Sequence, residues 1–117
     1  LRTEEVARLG QTLLDGGRWR GRQLVPPDVV AGLTADAVDT LGHRATDAAG
    51  PHPDNALYGR HIWLCARDQA WRMDGIHGQL AVIMPDQQSC ITVTAHYTGP
   101  TTDVLDAVWA EIVPVLS

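Results

Sequence analysis

The fold is decided by residues 79–96, which read QLAVIMPDQQSCITVTAH. Residues 79–85 are nearly all apolar, and a run of this length predicts a strand that is buried on both faces. Residues 86–88 are polar and predict a hairpin turn. Residues 90–96 alternate between apolar and polar side chains, which is typical of a half-buried strand. The stretch therefore predicts two antiparallel strands of one sheet.

Two further strands are predicted on the N-terminal side of this stretch. Residues 57–66 and 70–77 are rich in aromatic and branched side chains, and the polar residues 67–69 between them predict a turn. Short connections join neighbouring antiparallel strands. We therefore expect a meander of about four antiparallel strands over residues 57–96.

Helices and one loop complete a single domain, in which we expect a helical segment over 1–41, a loop over 42–56 and a C-terminal helix over 101–116. Within the first segment, Pro27 suits the first position of a second helix. Thr34 is expected to begin a short third helix that ends at Leu41. A helix from each end of the chain can cover one face of the sheet, so the fold class is α+β, with an antiparallel sheet flanked by helices.

Composition excludes several classes of protein. The 117 residues carry a net charge of −5, with nine arginines and no lysine. An acidic chain is not expected to bind nucleic acid, and the arginines around Trp19 are interpreted as a solvated turn. The absent lysine excludes a P-loop lysine and a Ser-x-x-Lys nucleophile pair within the chain. No apolar run reaches the ~20 residues of a membrane span, so no membrane contact is expected.

Cysteine and histidine show no metal-ligand spacing, and we expect neither a metal nor another cofactor. Cys65 and Cys90 are interpreted as two buried free thiols, with a disulfide as the alternative. The first residues contain no signal-peptide core, which favours the cytoplasm. The chain also lacks a start methionine, and we expect it to be cut from a longer protein.

Two stretches resemble the C-terminal part of the serine β-lactamase and penicillin-binding-protein superfamily. Residues 7–26, ARLGQTLLDGGRWRGRQLVP, are similar to a helix and turn late in the helical subdomain of that family. Residues 74–80, DGIHGQL, are similar to its active-site strand and hairpin. The esterase-like branch, which includes 6-aminohexanoate-dimer hydrolase, is the most similar. The resemblance implies the C-terminal portion of a β-lactamase-like fold, so that residues 1–117 are one partial domain.

The resemblance also implies a site. Met73, Asp74 and Gly75 align with the family motif Lys-Thr-Gly or His-x-Gly and are expected to bind substrate. Ile76 follows the motif glycine, and its backbone N–H is the expected oxyanion-hole donor. His77 is a candidate catalytic or substrate-contact residue, with a hydrogen-bonded or solvated histidine at the sheet end as the alternative. Because Met73 replaces the motif cation, recognition of a β-lactam carboxylate is in doubt and ester or amide hydrolysis is favoured.

Three hypotheses for the function remain open. The first is a serine hydrolase that cleaves small-molecule esters or amides through an acyl-enzyme, in which this chain supplies the oxyanion donor and a pocket wall. Its nucleophile would lie in a missing N-terminal part of the same protein, and the chain alone would be inactive. The second is a stand-alone α+β binding or interaction module, and the third is a decayed family member. Exposed apolar surface is expected to promote self-association.

Overall fold

The computed structural model describes residues 1–40 and 51–116. The helices are α1 (Thr3–Leu14), α2 (Pro27–Ala35) and α3 (Thr101–Ala107), and a 3₁₀ turn covers Pro53–Asn55. The strands are β1 (Arg18–Trp19), β2 (Arg22–Gln23), β3 (Val38–Asp39), β4 (Leu57–Tyr58), β5 (Trp63–Leu64), β6 (Trp71–Gly75), β7 (Gln79–Met84) and β8 (Ser89–Val93). Residues 42–50 of the predicted loop lie outside the described residues.

Six strands form one antiparallel sheet in the order β3-β4-β5-β6-β7-β8, and β1 pairs with β2 in a separate hairpin. The longest ladders join β6 to β7, from Trp71↔Ile83 to Gly75↔Gln79, and β7 to β8. The strands follow one another in sequence order, as a meander requires. The prediction of an α+β fold with an antiparallel sheet flanked by helices is therefore confirmed, with two more short strands than expected.

The apolar run of β7 forms the centre of the core. Its residues alternate between two clusters: Val82 and Met84 face one side of the sheet, whereas Ala81 and Ile83 face the other. All four side chains are buried. A strand buried on both faces needs this continuous apolar sequence, and the prediction made from residues 79–85 is confirmed.

Each face of the sheet is covered by a different end of the chain. Leu105 and Trp109, from the C-terminal helical segment, pack in the cluster that contains Val82. Val6 and Leu13 of α1 pack against the cluster that contains Ile83. We call these the α3 face and the α1 face of the sheet.

Two predicted elements are wrong. The third helix expected from Thr34 to Leu41 is absent from the described part of that range, because α2 continues to Ala35 and Val38–Asp39 then pairs with β4. The single strand expected over 57–66 is a hairpin of two short strands, in which the Gly59 amide donates to the Ile62 carbonyl at 2.8 Å. In both cases pairing with a neighbouring strand decides the structure against the local pattern.

The C-terminal helix changes its winding along its length. α3 is followed by a π-helical turn at Val108–Ile112 and by a 3₁₀ turn at Val113–Val115. Pro114 cannot donate a backbone hydrogen bond, and its ring crowds the preceding turn. The helix expected over 101–116 is therefore regular only as far as Ala107 and continues as these two irregular turns.

The two cysteines are free thiols. Cys65 packs on the α3 face and Cys90 on the α1 face, so the sheet separates them and the disulfide alternative is wrong. Among the described residues, no helix has both the length and the apolar character needed to cross a membrane.

Candidate functional site

A cleft of about 380 Å³ opens at the end of β6. Four segments form it: the 3₁₀ turn, β5, the end of β6 and the first residues of α3. Its lining residues are Asn55, Trp63, Arg72, Asp74, Gly75, Ile76, Thr101 and Thr102. The cleft is therefore built where segments distant in sequence meet at one end of the sheet.

The end of β6 is open towards this cleft because β5 is short. β5 pairs with Trp71 and Arg72 only, whereas β7 pairs with β6 as far as Gly75. Beyond Arg72, the described chain places no strand beside β6 on the β5 side. An open strand edge presents backbone groups to whatever enters the cleft.

Ile76 lies at the point where β6 becomes the turn to β7. Ile76 is 76% exposed. Among the turn hydrogen bonds of residues 1–40 and 51–116, none is donated by the Ile76 amide. The neighbouring Gly75 carbonyl accepts a hydrogen bond from the Thr101 hydroxyl at 3.4 Å, which links the end of β6 to the start of α3. The Ile76 N–H is thus a backbone donor at the mouth of the cleft.

The three residues predicted to bind substrate are divided between the two faces. Asp74 and Gly75 line the cleft together with Ile76. Met73 is half-buried on the α1 face, where it packs against the cluster of Trp71 and Ile83. Adjacent residues of a strand point to opposite faces, which separates Met73 from Asp74. The cleft therefore brings Asp74, Gly75 and Ile76 together without Met73, which instead lines a second depression that Asp74 and Gly75 also border.

His77 turns away from the cleft. It occupies the turn with φ +67°, and its Nδ1 lies 3.3 Å from the Tyr97 carbonyl oxygen. Its ring centroid is 5.0 Å from that of His96, beyond the end of β8. This position matches the hydrogen-bonded histidine that was the alternative interpretation, and His77 does not line the cleft.

Five of the cleft residues were not predicted from the sequence. Arg72 and Trp63 were interpreted only as strand residues, and Asn55, Thr101 and Thr102 were given no role in a site. The side chain of Arg72 is almost inaccessible and forms an ion pair with Asp74, with Nε 3.0 Å from Oδ2. No local pattern marks these residues, because they meet only when the 3₁₀ turn and α3 pack against β6.

The serine and cysteine side chains of the described residues are poorly placed or poorly activated as nucleophiles. Ser89 pairs with Met84 at the far end of β7, about 17 Å along the sheet from Gly75 at the usual rise per residue. Burial raises the pKa of the Cys65 thiol to about 11, which suppresses the reactive thiolate. Burial also raises the pKa of Cys90. Residues 1–40 and 51–116 contain no group of three or more side chains that could hold a metal ion.

A comparison with solved structures finds the same fold within a larger protein. The chain superposes on the structure named "Putative 6-aminohexanoate-dimer hydrolase from Bacillus anthracis" with a TM-score of 0.66 and 22% sequence identity. The match covers 94% of this chain and 28% of that one, so the chain spans little more than a quarter of its length. No protein-family model matches the sequence, and no curated protein matches it. The chain therefore shares the fold of one part of that hydrolase.

Proposed function

We propose that this chain is part of a serine hydrolase with a β-lactamase-like fold, which cleaves ester or amide bonds of small molecules through an acyl-enzyme. One observation carries the proposal: the Gly75–Ile76 peptide ends an open strand at the mouth of a cleft. The chain presents that peptide within a fold that it shares with part of a larger hydrolase. The motif similarity of residues 74–80 supports the same assignment.

In this proposal, the Ile76 N–H stabilises the charge that develops during acyl transfer. A serine hydroxyl attacks the substrate carbonyl, a base takes its proton, and the carbonyl oxygen becomes an oxyanion. The Ile76 amide donates a hydrogen bond to this oxygen, and the amide of the nucleophilic serine provides a second donor. Collapse of the intermediate expels the alcohol or amine with a proton and leaves the acyl-enzyme. Water then attacks the acyl-enzyme and releases the acid.

The nucleophile and its base belong, in this proposal, to a part of the protein outside the chain. The chain has no lysine, and Ser89 is far from the cleft. We therefore propose that an N-terminal region of the same protein, which carries the Ser-x-x-Lys pair, completes the active site at the cleft. The present chain contributes the oxyanion donor and one wall, with Asp74 and Trp63 beside the reacting carbonyl.

The proposal is tested by steady-state kinetics on the complete protein that contains this chain. Ile76→Pro removes the N–H, and the loss of one such donor lowers kcat by about 10² to 10³. Ile76→Val keeps the N–H and is the matched control, with kcat within about twofold of the wild type. His77→Ala is also expected to retain activity, because that side chain faces Tyr97.

The melting temperature is measured for each variant, because proline can disturb the end of a strand. A correctly folded Ile76→Pro protein with wild-type kcat would overturn the oxyanion role. A complete protein that hydrolyses no ester or amide would favour the binding module instead.

A further inference from the structure

A buried arginine lies at the centre of the cleft wall. Arg72 is 1% exposed. Its Nε donates to Asp74 Oδ2 at 3.0 Å, its Nη1 to the Asp54 carbonyl at 2.6 Å, and its Nη2 to Asn55 Oδ1. All three guanidinium nitrogens therefore hold a partner, and the planar fork fixes the relative positions of β6 and the 3₁₀ turn.

Asp54 extends these contacts to two more segments. It is also 1% exposed, and its Oδ1 accepts a hydrogen bond from the Ala66 amide at 2.6 Å. Its Oδ2 accepts one from the indole Nε1 of Trp109 at 2.8 Å. We call Asp54, Arg72, Asp74 and Trp109 the hub, because these four residues join the 3₁₀ turn, the residues after β5, β6 and the C-terminal helix.

The hub is not explained by stability alone. Burial of charged groups carries a large desolvation penalty, and well-packed apolar side chains of similar volume are often equally stable. On the α1 face of the same strand the buried side chains are apolar, since Trp71 and Met73 pack there among apolar neighbours. The charged residues of β6 instead face the cleft, at the two alternate positions that precede Ile76.

We propose that Arg72 is a positioning residue, which acts through the hub to hold the Ile76 N–H at the place where the oxyanion forms. This inference rests on the proposed function. β6 has no strand beside it on the cleft side beyond Arg72, so the ladder to β7 restrains only one side of its end. The hub and the hydrogen bond between Thr101 and Gly75 restrain the other side.

The test compares three variants of the complete protein. Arg72→Lys keeps the charge but loses the fork, and a misplacement of about 1 Å predicts a fall in kcat of ten- to a hundredfold with little change in KM. Trp109→Phe touches neither Arg72 nor the cleft and removes the indole donor to Asp54 together with part of the core packing of Trp109, so it lowers kcat less but in the same direction. Ile83→Val destabilises the opposite face, and it lowers the melting temperature without a change in kcat.

A second readout does not depend on activity. In the hub variants, the amide resonances of Gly75 and Ile76 shift and their hydrogen exchange accelerates, whereas Ile83→Val leaves both unchanged. If Arg72→Lys does not fold, the kcat and the Gly75 and Ile76 amide signals of Trp109→Phe test the inference instead. The inference is overturned if the hub variants keep wild-type kcat and wild-type Ile76 resonances while Ile76→Pro loses activity. Failure of the proposed function would give a different result, because Ile76→Pro would then be fully active.

Discussion

At Gly10, α1 packs tightly against β8, and a single methyl group tests that contact. The residue is buried in α1. A Cβ built there overlaps the Cys90 Sγ of β8, whereas the next neighbours, Ile83 Cδ1 and Cys90 Cβ, are at ordinary contact distances of 3.6 and 3.7 Å. Gly10→Ala therefore sets a gain in helix propensity against a clash with one sulfur atom.

The sizes of these two effects decide whether Gly10→Ala raises or lowers the stability of the fold. Alanine favours the helix by about 1 kcal/mol over glycine. An added methyl group in a filled site costs about 1–3 kcal/mol. Because β7 holds the backbone of this strand, the sulfur can leave the clash only by rotation about the single side-chain torsion of Cys90, and that rotation gives up its packing on the α1 face. We expect Gly10→Ala to lower the free energy of unfolding by about 1 kcal/mol, or roughly 4 °C in the melting temperature.

A double-mutant cycle isolates the clash. Cys90→Ala alone loses the buried sulfur and costs about 1 kcal/mol. In Gly10→Ala/Cys90→Ala the new methyl occupies the space of the sulfur, so the double variant is more stable than either single variant. The coupling energy lies within the usual range of about 0.5–3 kcal/mol for residues in contact. Urea unfolding followed by tryptophan fluorescence measures all four proteins. A stabilised Gly10→Ala protein with zero coupling would refute the packing of α1 on β8.

Three further outcomes are expected of the isolated chain. It does not hydrolyse p-nitrophenyl butyrate, because it lacks a lysine and an activated serine; saturable turnover that a serine-directed phosphonate blocks would contradict this. It self-associates in light-scattering experiments as concentration rises, because large apolar residues such as Leu24 and Ile76 are exposed, and a monodisperse monomer would argue against it. Burial raises the pKa of Cys65 to about 11 from the ordinary 9.0. The stability that the neutral buried thiol contributes is therefore fully present below pH 9 and is lost as the pH rises through 11. A Cys65→Ala protein with the same alkaline decline in unfolding midpoint would refute this assignment.

Local patterns predicted the long elements well. The apolar run of β7 predicted a strand buried on both faces, and the structure confirms it. In β8, Ile91 and Val93 pack on the α3 face as the alternation predicted, but every residue of the strand is half-buried and the strand ends at Val93. Short elements followed long-range pairing instead. β3 has only two residues and exists because Val38 and Asp39 pair with β4, about twenty positions later in the chain. A turn at Gly59 divides the predicted strand over 57–66, and the strand-like composition on both sides of it conceals that turn.

The candidate site was predictable only where a motif marked it. The resemblance of residues 74–80 located Gly75 and Ile76, which the structure places at the cleft. Arg72 was missed because arginine is rarely fully buried, and no pattern in the adjacent sequence indicates the three residues that accept its hydrogen bonds. Asp54 is equally hidden, since its contacts with Ala66 and Trp109 join parts of the chain that are far apart in sequence.

The Ile76 amide proton reports on the proposed hydrogen bond between this N–H and the oxyanion. Its resonance is recorded in the complete protein before and after labelling with a phosphonate, whose oxygen mimics the oxyanion. We expect this proton to move downfield on labelling, as a new hydrogen bond to an anionic oxygen requires, while the amide of Gly21, which does not line the cleft, stays unchanged. An Ile76 resonance that does not move in a fully labelled and inactivated protein would show that the Ile76 N–H is not the oxyanion donor.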